Sequence, residues 1–365
     1  MMRLFTCQAC GQLIYFENQT CERCAHRLGY NPQAFEMTAL EPAGGETWSS
    51  LSSPPRTFRF CDNAAYDVCN WLIPADTPDR FCTACRHNRT VPDLSNSANR
   101  VAWSKLEIAK HRMMYSLRHL GLPIPSRADD SKAGLVFDFL ADPSDSHAPK
   151  VLSGHDNGLI TLALSEADDA ERERRRSVMH EPYRALLGHF RHEVGHYYWD
   201  RLVKDQDNLA ECRAVFGNDE EDYEEALKRH YKNGPRANWR ENFVSAYATA
   251  HAWEDWAETW AHYLHIIDSL ETASAFGLEV HPTITRNPGL HAEMHLDSYA
   301  PGDFTRMVAA WLPLTFAMNS MNRSMGLTDL YPFILTAPVI QKLAFIHDLV
   351  HRPRAAVHER ASKTA

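Results

Sequence analysis

The sequence predicts an α+β protein in which a cysteine-rich, metal-stabilised N-terminal region precedes a mostly helical domain with a small sheet. Paired Cys-x2-Cys hooks near the N-terminus, two short runs of β-favouring residues and several apolar segments with helical spacing support this fold class. Composition and motifs divide the chain into residues 1–95, residues 96–351 and a polar tail, residues 352–365, for which we predict disorder.

The composition suits an intracellular protein with more than one folded unit. Its 365 residues exceed a typical domain, and a hydrophobic content of 44% can fill a sizeable core. The sequence contains no run of about 18 apolar residues and no apolar stretch typical of a signal peptide, so we predict a cytoplasmic location without membrane contact. The net charge of −9 argues against nucleic-acid binding, which depends on neutralising phosphates.

Eight of the nine cysteines lie before residue 86, which in a cytoplasmic protein favours thiolate metal sites over disulfides. The first two hooks have the spacing of a small zinc ribbon, with Gly11 directly after the first hook. A second group of four cysteines has one hook and a looser first pair. The predicted ligands of two structural zinc ions are Cys7, Cys10, Cys21 and Cys24 in the first site and Cys61, Cys69, Cys82 and Cys85 in the second.

The sequence does not decide two features of the cysteine-rich region. The two ligand sets could be interleaved, and His87 could replace one of the cysteines. Residues 38–57 are rich in Pro, Gly, Ser and Thr and are predicted to form a linker or long loop between the two cysteine groups. Because four thiolates leave no open position for a substrate, we expect both sites to be structural.

The middle of the chain predicts one helix followed by two strands. Residues 101–121 place their apolar side chains on roughly one helical face. Residues 135–140 and 159–164 are short apolar runs that predict strands. The mixed charge run at residues 166–176 predicts a solvated helix face or loop. Apolar segments within residues 302–351 predict further helices.

Residues 186–199, LLGHFRHEVGHYYW, contain the motif H-E-x-x-H. On a helix, His192 and His196 lie on one face and can bind one metal ion, while Glu193 lies about 100° round the axis, close to the metal but not bound to it. This arrangement is typical of zinc hydrolases, in which zinc acidifies a water molecule and the glutamate accepts its proton as general base. The same helix is predicted to begin near Pro182 and to end near Lys204.

The third zinc ligand is predicted downstream of this motif. The extended form H-E-x-x-H-x-x-G-x-x-H is excluded, because Trp199 and Leu202 occupy its glycine and third-histidine positions. Residues 251–265, HAWEDWAETWAHYLH, offer Glu254 and Glu258 on one helical face. We assign Glu254 to the zinc and Glu258 to the support of a ligand, which is the pattern of glutamate-zincins; the reverse assignment remains open.

Other residues are candidates for supporting roles around the zinc. Tyr247 precedes Glu254 by seven residues, or about two helical turns, and is the candidate donor to the oxyanion; a packing role is the alternative. His189 shares the helical face of His192, and we expect it to pack or to support the site. Residues 218–234 predict a capped acidic helix that forms a lid or insertion between the second and third ligands.

These motifs resemble the bacterial family of zinc-ribbon-containing zinc-binding metallopeptidases of glutamate-zincin type. The resemblance covers the cysteine hooks, GHDNGLITL at 154–162, PYRALLGHFRHEVGHYYWDRL at 182–202 and EDWAETWAHYLHI at 254–266. It implies that residues 96–351 form a zincin-like domain that hydrolyses peptide bonds with one catalytic zinc. In zinc peptidases with H-E-x-x-H, a strand ahead of the motif helix commonly forms the sheet edge that holds the peptide, so residues 158–164 are the candidate; an ordinary core strand is an equally good alternative.

Three functions are consistent with the sequence. We favour a zinc peptidase that acts on a protein or peptide substrate and whose zinc ribbons recruit or position a protein partner. The second hypothesis is a non-catalytic, zinc-stabilised protein-binding module, which a Glu193→Gln variant distinguishes because partner binding would survive the substitution. The third, nucleic-acid binding through the ribbons, is the weakest, and a salt-dependent shift of labelled DNA or RNA would support it.

Overall fold

The computed structural model describes residues 3–143, 145, 147–178 and 185–353. A cysteine-rich region of short strands precedes a largely helical region that contains a small sheet, so the α+β prediction is confirmed. The predicted start of the motif helix at Pro182 lies outside the described residues. So does the predicted disordered tail, residues 352–365, apart from Arg352 and Pro353.

Within the described residues, the strands form four antiparallel or mixed sheets. In chain order they are β1 (Phe5–Thr6), β2 (Leu13–Ile14), β3 (Arg27–Asn31), β4 (Glu36–Gly44), β5 (Thr47–Ser50), β6 (Thr57–Phe60), β7 (Leu72–Pro74), β8 (Asn88–Thr90), β9 (Val136–Leu140), β10 (Gly154–Asp156), β11 (Leu159–Ala163), β12 (Glu279–Val280) and β13 (Ala292–Glu293). β1 pairs with β2, and β3 to β7 form an antiparallel meander. A third sheet has the order β10-β11-β9-β8, and β12 pairs with β13.

The linker prediction for residues 38–57 is wrong. Most of this segment belongs to β4 and β5, which form a hairpin in the centre of the five-stranded meander. Gly44 and Gly45 make the turn with φ values of 107° and 56°, a backbone conformation that favours glycine. The Pro, Gly and Ser content that predicted a loop therefore belongs partly to the turn of this hairpin.

The sheet of the helical region decides between the two alternatives for residues 158–164, an edge strand and a core strand. β11 lies between β10, its antiparallel partner, and β9, its parallel partner, so residues 158–164 do not form a sheet edge. β10, residues 154–156, forms the edge of the sheet next to β11, and β8 forms the opposite edge. The sequence could not distinguish these two strands because GHD, which forms β10, also has the composition of a turn.

α-Helices are the main secondary structure of the region that contains this small sheet. They are α1 (Ser97–His119), α2 (Asp169–Val178), α3 (Leu186–Tyr198), α4 (Leu209–Phe216), α5 (Tyr223–Asn233), α6 (Trp239–Asn242), α7 (Ala252–Ala275), α8 (Phe304–Ser324) and α9 (Ala337–His351). A π-helical turn, Trp199–Lys204, continues α3 to the end that the sequence predicts. The helices predicted at residues 101–121, 218–234 and 302–351 are also present.

α3 packs closely against α7, and Gly195 makes this approach possible. A Cβ atom at Gly195 would lie 3.1 Å from the Cα of Ala257 and 3.2 Å from the Cβ of Trp260, so a larger residue would push the helices apart. Trp256 donates a hydrogen bond from its indole nitrogen to the Gly195 carbonyl at 2.8 Å. This packing determines how α3 and α7 present their polar faces to each other.

The cysteine-rich region shares its hydrophobic core with α1. Phe16, Tyr30 and Trp71 pack together, and the rings of Phe16 and Tyr30 lie 5.6 Å and 6.1 Å from the ring of Tyr115 on α1. All four side chains are buried. α1 therefore packs against the cysteine-rich region and against α3 at the same time.

Candidate metal centre

Three side chains from α3 and α7 converge on one point. His192 and His196 project from one face of α3, and their Nε2 atoms are 3.2 Å apart. Oε2 of Glu254, in the first turn of α7, lies 3.0 Å from Nε2 of His192 and 3.6 Å from Nε2 of His196. Around a tetrahedral ion with bonds of about 2.0–2.1 Å, neighbouring ligand atoms are about 3.3 Å apart. The three atoms therefore have the spacing that one zinc ion requires.

Glu254 is held as a buried carboxylate at this point. Its side chain is only 1% exposed. Burial raises the pKa of Glu254, but the facing imidazoles of His196 and His192 outweigh burial and hold that pKa well below its usual range. Oε1 accepts a hydrogen bond from the hydroxyl of Tyr223 at the start of α5, which leaves Oε2 facing the two histidines.

Glu258 lies one turn further along α7 and contacts the opposite side of His192. Its Oε1 is 2.7 Å from Nδ1 of His192, and its Oε2 accepts a hydrogen bond from Ser245 at 2.6 Å. Because a carboxylate accepts, Nδ1 of His192 donates, and the lone pair of the neutral ring is on Nε2. Glu258 thus orients His192 and fixes the tautomer that can bind a metal, as carboxylates do behind many zinc-bound histidines.

Glu193 belongs to a buried chain of three polar side chains. Nε2 of His189 lies 3.1 Å from Oε1 of Glu193, and Nδ1 of His189 lies 3.5 Å from Oε2 of Glu166. Burial lowers the pKa of His189, but Glu166 and Glu193 raise it to about 9. Burial raises the pKa of Glu193, but His189 and the two motif histidines, His192 and His196, lower this pKa below its usual value. Glu193 is consequently ionised and fixed in orientation.

Glu166 is an exception to the prediction of a solvated helix face or loop at residues 166–176. The run begins with a short 3-10 turn, Leu164–Ala167, in which Glu166 is 2% exposed, and only then enters α2. The turn directly follows β11, so the sheet positions Glu166 against α3. Charge patterning alone does not reveal which member of such a run faces inward.

Replacing His189 with Gln should destabilise the protein less at high pH than at low pH. The folded pKa of about 9 lies above the unfolded value of about 6.5. The stabilising contribution of the charged imidazole is therefore fully present below about pH 6.5 and is lost as the pH rises through about 9. Urea midpoints of wild type and His189→Gln should differ more at about pH 6 than at about pH 10.

His119→Gln is the matched control for this comparison. Burial lowers the pKa of His119. The difference in urea midpoint between wild type and His119→Gln should therefore not become smaller at high pH. If the urea midpoints of wild type and His189→Gln differed equally at both pH values, or more at high pH, the result would contradict the ion pairs between His189 and the two glutamates.

Tyr247 lies beside the site, but not in the way that its spacing from Glu254 predicts. α7 begins only at Ala252, because His251 has an extended backbone (φ −157°, ψ 155°) and caps the helix by accepting a hydrogen bond from the Trp253 amide. Tyr247 is instead in a 3-10 turn, Tyr247–Thr249. Its ring is 6.0 Å from the ring of His192, and burial raises the pKa of its hydroxyl, which keeps it a neutral donor.

Strand β10 reaches the other side of the cluster formed by His192, His196 and Glu254. His155 in β10 has its ring 6.2 Å from the ring of His196, and its Nε2 accepts a hydrogen bond from the Gly158 amide at 3.0 Å. Trp253 covers His196 with a ring separation of 3.7 Å. The site is therefore bounded by β10, α5 and the first turn of α7.

The eight N-terminal cysteines form two separate groups. The sulphur atoms of Cys7, Cys10, Cys21 and Cys24 lie within 4.8 Å of one another, and so do those of Cys61, Cys69, Cys82 and Cys85. His87 is in neither group; its Nδ1 hydrogen-bonds with the Leu135 carbonyl at 2.8 Å. Cys212 is a buried thiol on α4.

Sequence reasoning missed two residues that contact the metal-centre residues or the second cysteine group. Tyr223 binds Glu254, although the acidic helix that carries it was expected only as a lid or insertion. His111 on α1 lies against the second cysteine group. Neither belongs to a motif, and their positions follow from how distant helices pack.

Comparison with known proteins identifies the family of the chain. A family model described as "Putative zinc-binding metallo-peptidase" matches residues 99–349. The chain belongs to this family. A second model, described as a zinc-ribbon domain, matches residues 4–96. The resemblance given by the sequence motifs is thus confirmed for the family, while the glutamate-zincin subtype stays a prediction.

The relatives of this family member include close mycobacterial proteins. One from Mycobacterium bovis and two from Mycobacterium tuberculosis, each called an uncharacterized protein, are 41% identical to it over 350 residues. The match covers 96% of this chain and 95% of each relative. No solved structure matches the chain. Within the described residues, no helix combines the length and apolarity needed to cross a membrane.

Proposed function

We propose that the protein is a zinc peptidase of glutamate-zincin type. His192, His196 and Glu254 are the proposed ligands of the catalytic zinc. The observation that carries this proposal is the spacing of Nε2, Nε2 and Oε2 at 3.0 to 3.6 Å, which suits one tetrahedral ion and leaves a fourth position open. When bound, zinc supplies a Lewis acid that acidifies water and polarises a carbonyl.

The surrounding side chains support peptide hydrolysis. Glu193, kept ionised by His189, accepts the proton of the attacking water as general base and passes it to the leaving amine. Tyr247 donates a hydrogen bond to the oxyanion that develops on the carbonyl. Glu258 orients His192, and Tyr223 orients Glu254, so that both ligands are held before a substrate arrives.

The edge of the small sheet supports a peptide as the substrate. β10 borders the site and has an unpaired side within the described part of the sheet, where an extended peptide can add as a further strand. The two cysteine groups are proposed to bind one structural zinc ion each. Partner recruitment by the cysteine-rich region and a cytoplasmic location stay predictions.

Hydrolysis should depend on metal that can be removed and restored. The purified protein should cleave denatured casein, lose this activity on dialysis against a chelator, and regain it when zinc is returned. Circular dichroism before and after dialysis controls for loss of fold. Cleavage that persists without zinc would contradict the proposal, and zinc-loaded protein that leaves every denatured protein tested intact would favour a non-catalytic binding module.

A further inference from the structure

The second cysteine group is in contact with a histidine from outside the cysteine-rich region. His111 projects from α1 and is 4% exposed. Its Nε2 atom lies 3.4 Å from Sγ of Cys69 and 3.6 Å from Sγ of Cys85. α1 belongs to the segment that matches the metallopeptidase model, whereas the cysteines belong to the segment that matches the zinc-ribbon model.

A hydrogen bond at Nδ1 of His111 determines whether Nε2 carries a proton or a lone pair. Nδ1 of His111 lies 2.6 Å from the backbone carbonyl oxygen of Glu107. A carbonyl oxygen only accepts, so Nδ1 carries the proton, and the neutral ring has its lone pair on Nε2. That lone pair faces the two sulphur atoms, as in histidines that bind zinc through Nε2 and donate through Nδ1.

The distances also suit a shared ion. Zinc bonds of about 2.3 Å to sulphur and about 2.0–2.1 Å to nitrogen give tetrahedral edges of about 3.5 Å between nitrogen and sulphur and about 3.8 Å between two sulphurs. The observed values are 3.4 Å and 3.6 Å from His111 to the two cysteines, and 3.8 Å between Sγ of Cys69 and Sγ of Cys82.

Two charged residues on α1 complete the surroundings. Oε2 of Glu107 lies 3.7 Å from Sγ of Cys85, and the carboxylate pairs with the ammonium group of Lys110 at 2.8 Å. Both side chains are fully buried. Lys110 offsets the charge of Glu107, so this carboxylate is a neighbour of the site and a poor competitor for the metal. Lys110 also stabilises the negative charge that the thiolates bring to the buried site.

We propose that His111 binds the zinc ion of the second cysteine group through Nε2, together with Cys69, Cys85 and one further thiolate of that group. The zinc then links the cysteine-rich region directly to α1. Five donors are available for four positions, so the remaining thiolate lies outside the coordination sphere. This inference does not depend on peptidase activity.

X-ray absorption at the zinc edge tests the proposal in full-length protein. A His192→Ala, His196→Ala background removes the imidazoles of the catalytic centre, which leaves about two zinc ions per chain in the cysteine sites. The spectrum of this background should contain the outer-shell scattering of a bound imidazole. Adding His111→Ala should abolish that scattering while zinc content is kept, because the fourth thiolate takes the vacated position.

His119→Ala is the matched control, since it removes a histidine from the same helix away from the cysteines and should leave the imidazole scattering intact. A background spectrum with sulphur ligands alone would overturn the proposal. This result needs only the spectrum of the background protein, so the proposal can be tested even if His111→Ala fails to fold.

Discussion

A Glu193→Gln variant is expected to keep its zinc and to lose peptide hydrolysis. Glutamine matches the size of glutamate and can still contact His189, but it cannot accept a proton from the attacking water. Loss of a general base lowers rates by about 10²–10⁴-fold, so casein cleavage should fall by about this factor. The zinc content should not change, because the carboxylate of Glu193 contacts His189 and is not part of the proposed zinc site.

The comparison needs a control for the loss of one negative charge. Glu211→Gln provides it, because Glu211 lies on α4 with a side chain that is 58% exposed and pairs with Arg352 at the surface. This variant should cleave casein at the wild-type rate. If wild type and Glu193→Gln cleaved casein at equal rates, Glu193 would not be the general base. If Glu193→Gln lost its zinc, Glu193 would be a ligand.

Glu254→Ala and Glu258→Ala should weaken zinc binding to very different extents. Glu254 presents Oε2 to both histidines, so Glu254→Ala should release about one zinc ion per chain on dialysis. Glu258 contacts His192 at its far nitrogen, Nδ1, and loss of such a contact costs about 10- to 100-fold in affinity. Competition with a chromophoric chelator measures both affinities.

Glu224→Ala is the matched control for the two substitutions. Its carboxylate is 83% exposed, next to Tyr223 in the chain, and removing it should leave the zinc affinity unchanged. If Glu258→Ala released the zinc and Glu254→Ala only weakened it, the two glutamates would have the opposite roles. That result would support the alternative that the sequence left open.

Local spacing explains why the proximity of His192, His196 and Glu254 could be predicted. His192 and His196 share a face because they are one helical turn apart, and the same is true of Glu254 and Glu258. The close helix contact at Gly195 was not predicted, and only the structure identifies α7 as the partner. The choice between Glu254 and Glu258 as the zinc ligand depends on the packing of α3 against α7, and the assignment to Glu254 stays a prediction.

Residues that depend on long-range packing could not be predicted. Tyr223 reaches Glu254 from a helix 31 residues earlier in the chain, and His111 reaches Cys69 across 42 residues. Tyr247 lies near His192 for a reason other than its helical spacing, since a capped helix start separates it from Glu254. The hairpin within residues 38–57 shows the same limit, because turn-forming residues are common in linkers and in hairpins alike.

Anomalous diffraction at the zinc edge, from crystals of protein purified without chelators, tests the central claim most directly. We expect a peak about 2 Å from Nε2 of His192, Nε2 of His196 and Oε2 of Glu254, with Glu193 outside bonding distance. The absence of a peak between α3 and α7, or a peak that the carboxylate of Glu254 does not contact, would contradict the proposed catalytic centre.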